Sequence, residues 1–217
     1  MPTDETVQAF SQLPTAAISD ALDSLGIATQ PIGIKPLTHT FRLAGRAWTL
    51  KYRAIGEVER GTVGDYIDDI EPGQVVVLDN GGRLDRTVWG DILTLVAKHR
   101  GVAGTVINGI CRDVARAIEV NYPIYSLDHW MRTGKDRVEV DAIQVPVSLG
   151  DVQVRPGDIL IGDADGIVVI PQSREQEVLK RTQEIEGAEK AIEEEVVKGV
   201  SLREARAKHR YHSLQSR

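Results

Sequence analysis

Two short pairs of residues near the middle of the chain have the types and the spacing of a small binding site. Gly90-Asp91 is followed, after twenty intervening residues, by Arg112-Asp113. An arginine offers a forked donor for a carboxylate or an enolate, and the neighbouring aspartate offers the hard oxygen ligand that Mg²⁺ prefers. The same residue types also occur as an ordinary helix N-cap and as a loop ion pair. The spacing therefore supports two hypotheses, a functional site and a purely structural role.

The surrounding sequence predicts a strand–helix–strand unit that brings both pairs to one place. Residues 75–78 are a continuous apolar strand that a turn at residues 79–82 ends, residues 91–100 form a helix with Asp91 as its N-cap, and residues 102–107 form a second buried strand. In such a unit the helix begins beyond the carboxyl end of one strand, and the second pair follows the next strand. Both pairs then lie at the sheet edge where open α/β sheets keep their ligand crevices.

The predicted helix start adds backbone donors to this edge. The first N–H groups of a helix have no partner within it, so those of Ile92 and Leu93 suit a substrate carboxylate. The second strand closes at Asn108-Gly109, which leaves Arg112-Asp113 in the following loop.

The rest of the chain predicts an α/β protein with a mixed C-terminal sheet. Its short late strands are separated by Gly-Asp, Pro-Gly-Asp and Asp-Gly turns. The further elements expected are a helical region at 1–29, a strand at 43–50, strands at 145–147, 152–154 and 167–170, a long charged helix at 173–198, and a last short helix opened by the capping box Ser201-x-x-Glu204.

Composition limits the classes of function. The 217 residues carry a net charge of −6, and an acidic chain is a poor polyanion binder, so no nucleic-acid partner is expected. A single cysteine excludes an internal disulfide and a multi-cysteine zinc site. No apolar run approaches the roughly 18 residues that span a bilayer, and the first residues do not have the pattern of a signal peptide. We therefore expect a cytoplasmic protein with no membrane partner.

Several other residues have no clear role in a site. His209 and His212, three residues apart in a basic tail, are interpreted as solvated, and Cys111 as a buried small apolar residue. The segment 126–140 and the tail after residue 200 match no pattern, and either can reshape the far end of a pocket.

An ordered set of motifs resembles the RraA-like family, whose enzyme branch contains 4-hydroxy-4-methyl-2-oxoglutarate aldolase. Gly90-Asp91, twenty residues, Arg112-Asp113 is similar to the signature of that family, and the resemblance covers roughly residues 10–199. The other matching pieces are TAAISDAL at 15–22, GRAWTL at 45–50, VING at 106–109, VRPGD at 154–158 and GDADGIVVIP at 162–171.

The resemblance implies a fold and an assembly. It implies an α/β fold of the β/β/α swivelling-domain type, a sandwich with a long C-terminal helix. One domain would span residues 1–199, and residues 200–217 would form a basic helical tail outside it. Members of the family usually assemble as trimers or pairs of trimers, so a homotrimer or homohexamer is expected.

The resemblance also assigns roles by position. It implies Asp113 as the ligand of a divalent metal, Mg²⁺ before Mn²⁺ or Co²⁺, with Arg112 facing the pyruvate oxygen. It implies that Asp91 positions a water for proton transfer. A glutamate of a neighbouring subunit would approach the waters of the metal; by position this is Glu189, with Glu186 and Glu193 one helical turn on either side.

Two functions of different classes remain open at this point. The first is a metal-dependent aldolase that cleaves a 4-hydroxy-2-oxo acid to pyruvate and can also decarboxylate oxaloacetate, since both reactions pass through the pyruvate enolate. The second is a non-catalytic regulator that binds a ribonuclease. The resemblance favours the lyase, because the regulators tend to lose the acid after the arginine and this chain has Asp91 and Asp113. A methyltransferase is not supported, since no Gly-rich nucleotide loop follows a strand.

Overall fold

The computed structural model describes residues 4–55, 63–211 and 214. Its strands are β1 (Lys35–Pro36), β2 (Leu43–Ala54), β3 (Gln74–Thr87), β4 (Gly104–Cys111), β5 (Ile124–His129), β6 (Val138–Ile143), β7 (Val147–Leu149), β8 (Val152–Val154), β9 (Ile159–Gly162) and β10 (Ile167–Ile170). Its α-helices are α1 (Glu5–Phe10), α2 (Thr15–Ser24), α3 (Asp91–His99), α4 (Val114–Glu119), α5 (Glu175–Val197) and α6 (Leu202–Lys208), and Asp65–Asp69 and Gln172–Arg174 form 3₁₀ turns.

A mixed sheet with parallel strands at its centre organises the chain. Its order is β1-β5-β4-β3-β2-β9-β10, and β6 also pairs with β2. Strands β2, β3, β4 and β5 are mutually parallel, whereas β1, β6, β9 and β10 pair antiparallel to their neighbours. The predicted strand–helix–strand unit is confirmed as β3-α3-β4, so the carboxyl ends of two adjacent strands meet at one edge.

The two faces of this sheet bury different partners. In a strand, successive side chains point to opposite faces. Val76 and Leu78 of β3 lie in a core that also contains Trp89 and Ala97 from the helical side. Val75 and Val77 lie in a second core, which the β7–β8 hairpin covers from the other side. The resulting hairpin, sheet and helix layers confirm the predicted β/β/α sandwich.

The chain ends pack together beside the sheet. Phe10, Ile18 and Leu22 of α1 and α2 share a third core with Val178 of α5. The predicted long C-terminal helix is confirmed as α5, with 23 residues. The predicted N-cap of α6 is also present, since the hydroxyl oxygen of Ser201 accepts a hydrogen bond from the backbone N–H of Glu204 at 3.3 Å.

Several predicted boundaries were wrong, among them that of the strand expected at 145–147, which is β7 at Val147–Leu149. Strand β3 does not end at the glycine pair but continues to Thr87, because Gly81 and Gly82 adopt φ of 63° and 69° and shift the register as a bulge. Strand β4 likewise continues through Gly109, with φ of 153°, to Cys111. The N-terminal helical region is divided into α1 and α2; Pro14 lies just before α2, where its missing N–H costs no helical hydrogen bond.

None of the helices in the described ranges combines the length and the apolar composition needed to cross a bilayer.

Candidate functional site

The two predicted pairs meet at the carboxyl edge of β3 and β4. The backbone N–H of Asp91 donates to Asp113 Oδ2 at 3.0 Å. Arg112 Nε lies 3.3 Å from the same carboxylate oxygen, and the two side chains are 40% and 37% exposed. The N–H of Arg112 donates to the carbonyl oxygen of Trp89 at 3.0 Å, which ties the loop after β4 to the segment after β3. Spacing alone therefore predicted the juxtaposition, while the chemical roles stay predictions.

The backbone of Asp113 aims its carboxylate toward α3. Asp113 has φ of 60° and ψ of 38°, the left-handed conformation, immediately before α4. That conformation costs a non-glycine residue about 1–2 kcal/mol. Its carboxylate accepts the Asp91 N–H and gives no side-chain cap to α4. The left-handed turn at Asp113 therefore supports the hydrogen bond with Asp91, and the Asp113 side chain does not cap α4.

Gly90 allows the pairs to approach each other. A Cβ atom on this glycine would lie 2.8 Å from Asp113 Oδ2 and 3.1 Å from Arg112 Nε. Its carbonyl oxygen accepts a hydrogen bond from the Thr94 hydroxyl at 2.9 Å, and that hydroxyl in turn accepts one from the Trp89 indole N–H at 2.9 Å. The start of α3 is therefore held from the buried side, and only a glycine leaves room on the other.

The prediction that Asp91 is the N-cap of the helix was wrong. Gly90 is the N-cap of α3, and Asp91 is the first helical residue. Asp91 Oδ1 accepts a hydrogen bond from the N–H of the adjacent Ile92 at 2.8 Å. The Ile92 N–H expected to serve a substrate carboxylate is therefore engaged by Asp91, because a short acidic side chain in a first helical turn can reach the backbone donor next to it.

A cavity of about 160 Å³ opens beside these residues. Its lining combines the polar side chains of Asp91 and Arg112 with the apolar side chains of Val63, Val88 and Leu93. Gly90, Ile92, Trp89, Gly64, Thr87 and Thr133 complete the lining. A concave apolar space with a few convergent polar groups is typical of a small-molecule site.

The loop at residues 130–137 supplies part of this lining. Thr133 forms a parallel bridge with Thr87 at the end of β3, and the Thr87 N–H donates to the carbonyl oxygen of Arg132 at 3.0 Å. Gly134 is buried, and a Cβ there would overlap the Thr87 carbonyl oxygen. No sequence pattern predicted a role for this segment. The glycine at position 134, between Thr133 and Lys135, was the one feature of the sequence that could have indicated a close backbone approach.

Cys111 lies directly behind the site and confirms the interpretation of a buried apolar residue. It is 0% exposed, and its sulfur lies 3.8 Å from the Ser126 hydroxyl oxygen. Burial raises the pKa of the thiol to about 11. The thiolate is the nucleophilic form of cysteine, so this side chain is unsuited to nucleophilic catalysis.

The three candidate glutamates of α5 have different surroundings. Glu186 Oε1 pairs with Lys190 at 3.1 Å, Glu189 Oε1 accepts a hydrogen bond from the Tyr211 hydroxyl at 2.7 Å, and Glu193 is exposed. The approach of any of them to a neighbouring subunit stays a prediction.

His209 in the tail is not solvated as predicted. Its Nε2 lies 3.1 Å from Glu195 Oε1, and its side chain is 24% exposed. The sequence does not predict this contact, because a tail that folds back onto α5 produces no periodic pattern of residues. His212 lies outside the described residues.

The donor set near Asp113 fits a largely hydrated divalent cation. In the described part of the chain, no group of three or more His, Cys, Asp or Glu side chains could hold a metal ion. Mg²⁺ commonly keeps several waters and takes only one or two protein carboxylates. The half-exposed Asp113 beside the cavity is compatible with a cation that keeps most of its waters. The described donors are too few for a closed structural metal site.

Comparison with known proteins identifies relatives over most of the chain. The family profile described as "RraA-like: Aldolase/RraA" matches residues 15–169. Protein DlpA of Legionella pneumophila is 38% identical over 201 residues, which are 91% of this chain and 32% of DlpA. A Halalkalibacterium halodurans protein named "Putative 4-hydroxy-4-methyl-2-oxoglutarate aldolase" is 35% identical over 192 residues, covering 87% of this chain and 89% of that protein.

A solved structure has the same fold. The crystal structure of Streptomyces coelicolor RraAS2, described as an unusual member of the RNase ES inhibitor RraA protein family, superposes with a TM-score of 0.79 at 29% identity. The match covers 87% of this chain and 96% of RraAS2. This chain spans about a third of the length of DlpA but most of the other two relatives.

Proposed function

The chain belongs to the RraA-like family, and from this premise we propose that it is a divalent-metal-dependent lyase that cleaves a 4-hydroxy-2-oxo acid to pyruvate. One observation carries the proposal. The side chains of Asp91, Arg112 and Asp113 meet at Gly90, where a Cβ atom would block their contact, and a cavity of about 160 Å³ lies beside them. The relative named for 4-hydroxy-4-methyl-2-oxoglutarate makes that compound the first substrate to test.

Arg112 would bind the pyruvate half of the substrate. Its guanidinium is charged at every accessible pH and offers parallel N–H donors for oxygen atoms. The side chain is 40% exposed and lines the cavity, while its Nε stays close to Asp113. Donors fixed in this way stabilise negative charge as it develops on the 2-oxo oxygen.

Asp113 would hold the metal, with Mg²⁺ expected before Mn²⁺ or Co²⁺. When bound, the cation supplies a Lewis acid for the 2-oxo acid end of the substrate. Asp113 Oδ2 already accepts the Asp91 N–H and faces Arg112 Nε. These two contacts fix the orientation of the carboxylate, which a single-carboxylate site requires.

Asp91 would serve the proton of the 4-hydroxyl group. It lies at the exposed start of α3 and lines the cavity, and its Oδ1 is held by the Ile92 N–H at 2.8 Å. A carboxylate fixed at one oxygen can position a water with the other, and that water accepts the hydroxyl proton as the C3–C4 bond breaks. Oxaloacetate has no such hydroxyl, so its decarboxylation would not need this step.

The proposal is tested by pyruvate release from a panel of 2-oxo acids, with and without EDTA. Asp113→Asn should abolish the metal-dependent turnover. Asparagine tolerates the left-handed backbone of residue 113, so this variant should keep a near-wild-type melting temperature, whereas Asp113→Ala adds strain. Full Mg²⁺-dependent activity of Asp113→Asn would remove Asp113 from that role.

A second pair of variants separates Arg112 from Asp91. Arg112→Lys should lower kcat by about 10²-fold on both the hydroxy acid and oxaloacetate, as loss of a fixed donor does. Asp91→Asn should lower aldol cleavage by about 10²-fold or more, the usual contribution of a general base, and spare decarboxylation. Equal losses on both substrates for Asp91→Asn would show that Asp91 only orients the substrate.

The alternative is a non-catalytic regulator of a ribonuclease. The similarity to RraAS2, whose description refers to an RNase inhibitor family, supports it. The same panel decides between the two functions. Absence of pyruvate release from every 2-oxo acid, with Mg²⁺, Mn²⁺ and Co²⁺ each supplied, would favour the regulator.

A further inference from the structure

The tail after α5 folds back along that helix. Gly199, with φ of 93°, reverses the chain, the N–H of Val200 donates to the carbonyl oxygen of Glu195 at 3.1 Å, and the Ser201 side chain caps α6. This return brings Tyr211 to the middle of α5. Its hydroxyl donates to Glu189 Oε1 at 2.7 Å, across 22 positions of sequence.

Three further contacts hold the tail and its Tyr211 ring in this position. The Arg206 guanidinium carbon lies 5.4 Å from the centre of the Tyr211 ring, a cation–π arrangement. Lys208 Nζ and His209 Nε2 lie 2.5 and 3.1 Å from Glu195 Oε1. The ring of Tyr211 is therefore held by a contact that does not involve its hydroxyl. The hydroxyl donates its hydrogen bond to Glu189.

Glu189 differs from its two neighbours on α5 in this respect. Glu186 pairs within its own helix, with Lys190 at 3.1 Å, and Glu193 is exposed. The carboxylate of Glu189 is instead oriented from outside α5, by a neutral donor that takes one oxygen. A carboxylate has lone pairs on both oxygens, so the second oxygen can bind another partner.

We propose that Tyr211 is a positioning residue for Glu189, and that the tail serves to hold this carboxylate in one orientation. The inference rests on the proposed function and on the expectation, implied by the family resemblance, that Glu189 completes the site of a neighbouring subunit. A glutamate side chain has many rotamers, and a hydrogen bond from a fixed phenol restricts them before the subunits meet. Among the three glutamates that the sequence left open, this geometry favours Glu189.

The experiment compares Tyr211→Phe with the wild type, Glu189→Gln and the double variant. Phenylalanine keeps the ring under Arg206 and removes only the hydroxyl. Loss of an outer partner of this kind typically costs about 10-fold or more in activity, and we expect that loss in kcat, with KM unchanged. In the Glu189→Gln background the same substitution should cause no further loss.

A binding readout accompanies the kinetics. Oxalate is a planar dianion shaped like the pyruvate enolate, and its affinity in the presence of Mg²⁺ is measured by calorimetry. Tyr211→Phe should weaken oxalate binding relative to the wild type. The double variant should bind oxalate with the same affinity as Glu189→Gln alone. His209→Gln removes one of the two contacts on Glu195, while Lys208 still holds the tail there and the Tyr211 hydroxyl stays in place. It is the matched control and should bind oxalate normally.

The outcomes distinguish the two levels of the proposal. Wild-type kcat and oxalate affinity in Tyr211→Phe, with Glu189→Gln impaired, would overturn the role of Tyr211 and leave the proposed function standing. Wild-type behaviour of Glu189→Gln would overturn the shared-site hypothesis itself. Equal losses for Tyr211→Phe and His209→Gln, or additive losses in the double variant, would show that the tail only stabilises the fold.

Discussion

Gly90 is the residue on which the approach of the two acidic residues depends. We predict that Gly90→Ala lowers kcat/KM, because the new Cβ would lie 2.8 Å from Asp113 Oδ2 and must displace it. A misplacement of about 1 Å at a site can cost about 10²-fold in rate. Steady-state kinetics of pyruvate release measure the effect.

A second glycine provides the control for this substitution. Gly187 lies within α5, and a Cβ there meets no atom within 4 Å. Gly187→Ala should therefore raise the free energy of unfolding by about 1 kcal/mol, the difference in helix propensity, at unchanged kcat/KM. Wild-type activity in Gly90→Ala would contradict the geometry described for the site.

Cys111 gives a prediction that does not depend on the proposed function. Because burial raises the pKa of its thiol to about 11, the native protein should not react with Ellman's reagent at pH 8. In denaturant one thiol per chain should react, since the sequence has one cysteine. Rapid reaction of the native protein would mean that the segment between β4 and β5 opens readily.

At the residue scale the sequence predicted which side chains meet but not how they are held. Parallel strands bring Asp91 and Arg112-Asp113 to one edge, and that follows from hydrophobic periodicity. The left-handed backbone of Asp113 and the hydrogen bond from the Ile92 N–H to Asp91 Oδ1 do not, because they depend on local dihedral angles that no spacing encodes. The N-cap position was therefore assigned one residue too late.

Among the elements, the 130–137 loop contributes Thr133 to the cavity lining. We predict that Gly134→Ala lowers stability by about 1–3 kcal/mol, the usual cost of overpacking, because its Cβ would overlap the Thr87 carbonyl oxygen. The displaced loop would move Thr133 from the cavity wall, so KM should rise more than kcat falls. Thermal unfolding and kinetics of the purified variant test both effects, and an unchanged KM would separate the loop from substrate binding.

A glycine pair can end a strand or form a bulge within it, and the sequence does not distinguish the two. Gly81-Gly82 was interpreted as the end of a strand, but β3 passes through it as a bulge, because β4 continues alongside and supplies backbone partners. Long apolar strands and the 23-residue α5 were predictable from periodicity. The loop at 130–137 was not, since its position depends on a bridge to Thr87, 46 positions earlier.

At the scale of the whole molecule, the proposed sharing of a site between subunits can be tested by mixing. Asp113→Asn and Glu189→Gln each damage a different subunit's contribution to one site. If the protein is a trimer or hexamer with shared sites, refolding the two inactive variants together should restore part of the activity, because some sites then receive both intact residues. Light scattering measures the assembly, and a fully active monomer would rule out the shared site.

Strand β4 has a parallel partner on each side, and all eight of its residues are buried. Its buried amide hydrogens can exchange with heavy water only when the ladder that holds them opens, so they should be among the slowest in the protein to do so. Arg112 and Asp113 follow directly on this strand, whereas Glu189 is held by Tyr211, which lies 22 positions further along the chain. Under the proposed function, the β3-α3-β4 part of the site can form during synthesis on the ribosome before the part that Glu189 would supply, because Glu189 and Tyr211 are synthesised later.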